Sequence, residues 1–245
     1  MEITLDEDFV QRTLTDEYDC ARDEIGERGV ARAFESSQRR HDERIAGAPD
    51  VATLACRAGC TWCCHFSVDV RAVEVFRILD LMEHEFSVDD RARIHQEIRT
   101  NSATLRGLDP IERMRRNVKC PFLAEGRCTI YAARPQTCRN YHATDVTGCR
   151  LSYEDPNNLE IDPDFAPFVY QAGGAHVEGF SKALRELGFD DRVYELNAAF
   201  DAALSDPTTR DRFEAKQAPF LKLRGEAVPP EFEEVDEVTR SEPSP

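Results

Sequence analysis

Nine cysteines stand in the 245-residue chain, and eight of them fall into two sets of four. The first set, CRAGCTWCCH, holds Cys56, Cys60, Cys63 and Cys64 as C-x3-C-x2-C-C. The second runs through KCPFLAEGRCTIYAARPQTCRNYH to a later cysteine and holds Cys120, Cys128, Cys138 and Cys149 as C-x7-C-x9-C-x10-C. Four thiolates so close in the chain can converge on one centre only if the loop wraps round it, which a packed core would not require. The loops of the second set are long enough to fold back on a metal and short enough to keep the entropy of closure modest. Two sets of four thiolates match two four-thiolate zinc sites, or one or two iron–sulfur clusters. Neighbouring residues cannot easily chelate one ion side by side. Cys63 and Cys64 are therefore expected to serve different metal atoms, or one of them to stand behind the ligands.

The residues around the cysteines fit a metal centre as accessories. Arg134 and Arg139 flank Cys138, where cationic groups lower thiolate pKa values and offset the negative charge of a cluster. His65, His142 and His176 are expected to be hydrogen-bonding neighbours, because a histidine beside a cluster more often supports than ligates. Trp62 is expected to shield the site from water. Cys20 lies far from the others in a helical stretch and reads as a small buried hydrophobe outside the constellation. The Cys63-Cys64 pair and the flanking arginines suit a polynuclear, negatively charged centre, so an iron–sulfur cluster is favoured over zinc.

Helices must position these loops. Residues 5–45 are charged, with apolar groups at Val10, Leu14, Tyr18, Ile25, Val30 and Phe34 spaced for one or two amphipathic helices, broken by the AGAPD stretch. Ser67–Val70 reads as a short strand. Val75, Ile78, Leu79 and Met82 then form a buried helical stripe, and Ser87 with Asp90 reads as the capped start of another helix through Ile94 and Ile98. A brief helical turn is expected from Pro110 to Met114, and irregular structure organised by its ligands over Lys119–Arg150. Helices return at Phe165–Leu187, at Asp190–Leu204 with the aspartate pair as cap, and at Thr208–Gln217. The acidic, proline-bearing PPEFEEVDEVTRSEPSP stretch is too polar to offset ordering entropy and reads as a disordered tail.

Composition narrows the function classes. The net charge is -16, and four of the 31 basic residues are lysine, the others arginine. That bias suits a high-salt cytoplasm or a GC-rich genome. No basic block is long enough to track a phosphate backbone, so nucleic acid is not an expected partner. No apolar run approaches the roughly 20 residues of a membrane span, and the acidic N-terminus is unlike a signal peptide. A cytoplasmic protein follows, and there clustered cysteines hold metal more often than they pair as disulfides. An unidentified protein or a small molecule is left as partner.

The order C-x3-C-x2-CC, C-P-F-L, a Gly-Arg-Cys turn and I-Y-x-x-R-P-x-x-C-R resembles the YkgJ-type cysteine-cluster proteins, a family described as a zinc- or iron-chelating domain. The resemblance covers Cys56 to Cys149 and includes Pro121, Phe122, Leu123, Ile130, Tyr131, Arg134 and Pro135. It implies metal binding at Cys56, Cys60, Cys63, Cys64, Cys120, Cys128 and Cys138, with Cys149 as the variable last cysteine, and implies no settled reaction. A related cluster occurs in flagellin lysine methylases, which leaves an enzyme role open. C-x3-C-x2-C is also the spacing of radical S-adenosylmethionine enzymes, but their fold needs repeated strand–helix units, and Gly173-Gly174 is followed by alanine rather than the expected glutamate. A structural zinc protein presenting a partner-binding surface is the other alternative. The expected architecture is mainly α, a helical domain with an irregular metal-bound cysteine-rich insert. It divides into an N-terminal helical segment (1–48), a cysteine-cluster domain (49–155), C-terminal helices packing on it (156–224) and the acidic tail (225–245).

Overall fold

The computed structural model describes residues 7–57 and 59–223. It is mainly helical, with ten α-helices among the described residues. The expected N-terminal helices are α1 (Glu7–Arg28) and α2 (Val30–Ala46), separated at Gly29, whose φ of 81° favours glycine. A short strand β1 (Asp69–Arg71) leads into α3 (Ala72–Glu85), followed by α4 (Val88–Leu105) and α5 (Pro110–Met114). A hairpin, β2 (Leu123–Ala124) and β3 (Arg127–Cys128), precedes α6 (Gln136–Asn140) and α7 (Val146–Glu154). The chain ends in α8 (Pro167–Glu186), β4 (Val193–Glu195), α9 (Leu196–Ser205) and α10 (Thr209–Glu214). The stretch expected to be a disordered tail, 225–245, lies outside the described residues.

Two expectations about local structure are corrected. Lys119–Arg150 is not irregular throughout, since it carries the hairpin, α6 and the start of α7. The helix expected from Asp190 begins at Leu196, because Val193–Glu195 pairs antiparallel with β1 in the register Asp69↔Glu195, Val70↔Tyr194, Arg71↔Val193. Glu195 takes the capping role by accepting from the Asn197 and Ala198 amides, while Asp190 and Asp191 bind Tyr194 and Arg185. By contrast, Ser87 caps α4 as expected, accepting the Asp90 amide at 3.1 Å. Both sheets among the described residues are two-stranded antiparallel pairs, without the strand–helix repeats of a radical S-adenosylmethionine fold. No described helix is long and apolar enough to cross a membrane.

One apolar core runs from Ala21 to Phe220. Val75, Ile78 and Met82 of α3 and Ile94 and Ile98 of α4 point into it, with Leu79 partly buried beside them. Helices α3 and α4 both pack on α9, whose Phe200 meets Phe122 edge to face at 5.2 Å. That contact anchors the C-P-F-L motif of the second cysteine segment in the core.

The opposite side of the bundle has a polar interior. Helices α1 and α2 form an antiparallel hairpin in which Arg40 grips the buried Glu17 through two bonds of 2.7 Å. Helix α8 runs beside α1, approaching so closely at Gly179 that a Cβ there would stand 2.4 Å from the Leu14 carbonyl. His41 and His176, both fully buried, stack at 4.7 Å between these helices. His176 meets the Ser37 hydroxyl at 3.0 Å, and burial holds both imidazoles neutral, His41 down to a pKa of about 3.

The pair makes stability depend on acid. A folded-state pKa below the ordinary 6.5 means that the unfolded chain binds the extra proton, so each histidine removes roughly 1.4 kcal/mol per pH unit as pH falls below 6.5. Glu17, whose burial raises its carboxyl pKa, takes up a proton in the folded state and offsets part of this loss. Urea midpoints should be flat from pH 8 to 7 and fall steadily from 6.5 to 4.5. The double variant His41→Gln/His176→Gln should show a shallower slope, and an unchanged slope would refute the neutral buried pair.

Candidate metal centre

The first cysteine segment is a tight coil held at both ends. Ala55 donates to the Ala143 carbonyl at 2.9 Å, which pins the start of the coil to the far end of the second segment. Gly59 turns the chain at φ 90°, and the Cys60 amide closes onto the Arg57 carbonyl. Trp62–His65 is then one turn of 3-10 helix, with the Cys64 amide on the Thr61 carbonyl. In a 3-10 turn successive side chains leave the axis about 120° apart, so Cys63 and Cys64 diverge at their Cβ atoms. Cys64 is nevertheless the neighbour that most raises the Cys63 thiol pKa.

The second segment returns across the first. The Cys120 amide donates to the Cys64 carbonyl at 2.7 Å and the Val118 amide to the His65 carbonyl at 3.1 Å. Glu125 and Gly126, both at positive φ (50° and 70°), make the two-residue loop that sets Cys128 opposite Leu123. Cys138 lies on α6 and the buried Cys149 on α7, which Asp145 caps. Helix α7 leans on the first coil through Tyr153, whose ring meets Trp62 at 5.4 Å and His65 at 5.0 Å. Trp62 is half-buried there.

Helix α6 is fixed by a residue that sequence reasoning did not single out. Glu74, in the first turn of α3, is fully buried and accepts from the Arg71 amide at 2.6 Å and the Gln136 amide at 2.7 Å. One carboxylate thus serves the N-termini of two helices, and Cys138 lies two residues beyond Gln136. Burial raises its pKa against the pull of Arg71 and both amides. Its only sequence signal was its place as third residue of α3, an ordinary position for a capping glutamate. On the other side Arg139, 1% exposed, binds Asp42 of α2 and the Ala132 carbonyl, and Arg134 lies over the Tyr131 ring at 3.9 Å.

The thiols influence one another electrostatically across both segments. Charge on Cys63 acts on Cys56 and Cys149, which also feel Cys60. It also acts on Cys120, Cys128 and Cys138, of which Cys120 feels Cys128 and Cys138 feels both Cys120 and Cys128. Burial pushes the Cys120 thiol up to about 12 and that of Cys149 to about 11, and lifts Cys138 well above the ordinary value. The Cys63 thiol is raised first by its contact with Cys64 and then by burial. Arg134 pulls Cys63 and Cys128 the other way, and Arg139 also pulls Cys128, whereas Cys138, the cysteine they flank in sequence, is raised by burial and by its thiol neighbours. Without a cation these groups stay protonated. A soft dication would displace the protons, so the donor set fits zinc or iron–sulfur ligation.

Among the described residues no three histidine, cysteine, aspartate or glutamate side chains converge closely enough to hold an ion. The other expected residues sit apart. Cys20 is on α1 outside the constellation, but exposed rather than buried. His65 contacts the Thr61 carbonyl at 3.2 Å, and His176 belongs to the polar interior. Gly173 has a packing role, since a Cβ there would collide with Asn140 Oδ1 at 1.7 Å.

Residues 55–162 match the family model described as "CxxCxxCC: Putative zinc- or iron-chelating domain", which the YkgJ-type family fits. No curated protein and no solved structure matches the chain.

Replacing Glu74 tests how α6 is held. Glu74→Ala leaves two buried amides without an acceptor and should cost about 3 kcal/mol, read as a lower urea midpoint, with bound metal falling as Cys138 loses its support. Glu74→Gln keeps one acceptor and should lose less. Equal stability of the alanine variant and the native chain would show that the bridge does not matter.

Proposed function

We propose, from the premise that residues 55–162 are a CxxCxxCC domain, that this is a cytoplasmic metal-binding protein whose two cysteine segments close on one shared polynuclear centre, an iron–sulfur cluster. The observation that carries this reading is the set of backbone hydrogen bonds that lay the second cysteine segment against the first, from the Cys120 amide to the Cys64 carbonyl at 2.7 Å, from the Val118 amide to the His65 carbonyl at 3.1 Å and from the Ala55 amide to the Ala143 carbonyl at 2.9 Å. Two cysteine segments held side by side, with the neighbours Cys63 and Cys64 in the strand of contact between them, suit one centre built from both better than two separate zinc ions.

In this reading Cys56, Cys60, Cys63, Cys64, Cys120, Cys128, Cys138 and Cys149 supply the ligands. Bound there, a cluster would supply one-electron chemistry. The chain's own residues set its surroundings. Arg134 and Arg139 offset the negative charge of the thiolates, and Trp62 against Tyr153 limits water on the α7 side. Because the thiols start protonated, loading releases protons and weakens as pH falls.

Anaerobic purification followed by iron, zinc and acid-labile sulfide analysis is the test. Iron with inorganic sulfide is expected, and zinc without sulfide would overturn the cluster. Cys63→Ser should lose most of the bound metal, while Cys20→Ser should keep all of it. Full occupancy in Cys63→Ser would overturn the shared centre.

A further inference from the structure

The loop between Cys128 and Cys138 is held from outside residues 55–162, by helix α2. Arg139, 1% exposed, donates to the carbonyls of Ala132 and Arg134 and to Asp42 Oδ2 on α2. Arg134, 9% exposed, faces Oδ1 of the same carboxylate at 3.8 Å. Gln38, one turn before Asp42 on α2, donates to the Arg134 carbonyl at 3.4 Å. A guanidinium shut away from water is costly unless an anion faces it. Asp42 is that anion for both arginines.

Two cations on one carboxylate leave a single positive charge over. Burial lowers the His41 and His142 pKa values, so neither ring adds charge at neutral pH. The Glu74 carboxylate at the start of α6 is occupied by two backbone amides. The surplus charge acts on both cysteine segments, since Arg134 lowers the thiol pKa of Cys63 and Cys128 and Arg139 that of Cys128, against burial. Net charge is among the properties that set the reduction potential of an iron–sulfur cluster. With Asp42 neutral, both guanidiniums would act uncompensated, and an added electron would be held more tightly.

We propose that Asp42 is a positioning residue for the metal centre. By sharing one carboxylate between Arg134 and Arg139, it sets how much positive charge the loop between Cys128 and Cys138 presents to the thiolates, and through that the reduction potential. The proposal rests on the reading of the centre as an iron–sulfur cluster. It gives the N-terminal hairpin, which lies outside the family match, a part in tuning the centre.

The full-length chain, purified anaerobically and analysed for iron and acid-labile sulfide, would be titrated by spectroelectrochemistry. Asp42→Asn should keep its iron and sulfide and move the potential positive, while Asp42→Glu should stay at the native value. Glu43→Gln removes the same charge from the neighbouring exposed position of α2 and should leave the potential unchanged. Arg134→Gln should move it negative. A purely structural role would lower stability without this pattern of signs. An unshifted Asp42→Asn, or an equal shift in Glu43→Gln, would overturn the proposal. Should Asp42→Asn lose the cluster, Arg134→Gln decides: a negative shift upholds the proposal, and no shift or loss of the cluster there too overturns it. Zinc without sulfide in the native chain would overturn the functional reading and this proposal with it, and is seen before any potential is measured.

Discussion

The hydrogen bond from the Cys120 amide to the Cys64 carbonyl joins two stretches of chain that 55 intervening residues separate. With the Val118 and Ala55 bonds, it turns two cysteine-bearing coils into one layer. Everything around the constellation follows from keeping that layer in register. Phe122 must reach the core beside Phe200, Glu74 must meet α6, and Tyr153 must close over Trp62. None of these contacts lies within a regular sheet or a long helix, so the layer has little stability of its own and borrows it from the helices behind.

Those helices supply two unlike kinds of support. Behind the second segment stand α3, α4 and α9 with an apolar core, where stability comes from buried area. Behind α6 stands a polar interior of Glu17, Arg40, His41 and His176, where each group is held by a partner or by neutrality. Such an interior contributes less net free energy but fixes geometry more sharply, because a misplaced polar group is left unsatisfied. Arg139, buried on α6 next to Cys138 in the chain, ties that helix to Asp42 of α2.

The sequence discloses what is periodic or locally signalled. The α3 stripe, the Ser87 cap and the break after Ala46 are legible because their causes lie within a few residues. The strand at Val193–Glu195 is not, because its cause is a partner at Asp69–Arg71, and the same residues with aspartates before them also look like a helix start. In the candidate site the cysteine spacing announces metal chemistry, whereas the meeting of the two segments through the Cys120–Cys64 backbone bond depends on three-dimensional closure. Glu74 and the His41–His176 stack leave no trace in spacing, since a glutamate near a helix start and a histidine on an amphipathic helix are commonplace.

The pairing of α1 with α8 has a consequence for biosynthesis. The helix made first is packed by one that begins at Pro167, so on a ribosome adding about 5–20 residues per second the N-terminal hairpin waits roughly ten to thirty seconds for its partner. During that interval all eight clustered cysteines are translated while the bundle is still open. Packing of α8 through Gly173 and Gly179, which admit no side chain, and of the later β4 and α9 on β1, α3 and α4 therefore waits until all eight have been made. The order of synthesis gives the thiols a period of full access, which the finished fold narrows most at Cys149, the one buried cysteine of the eight.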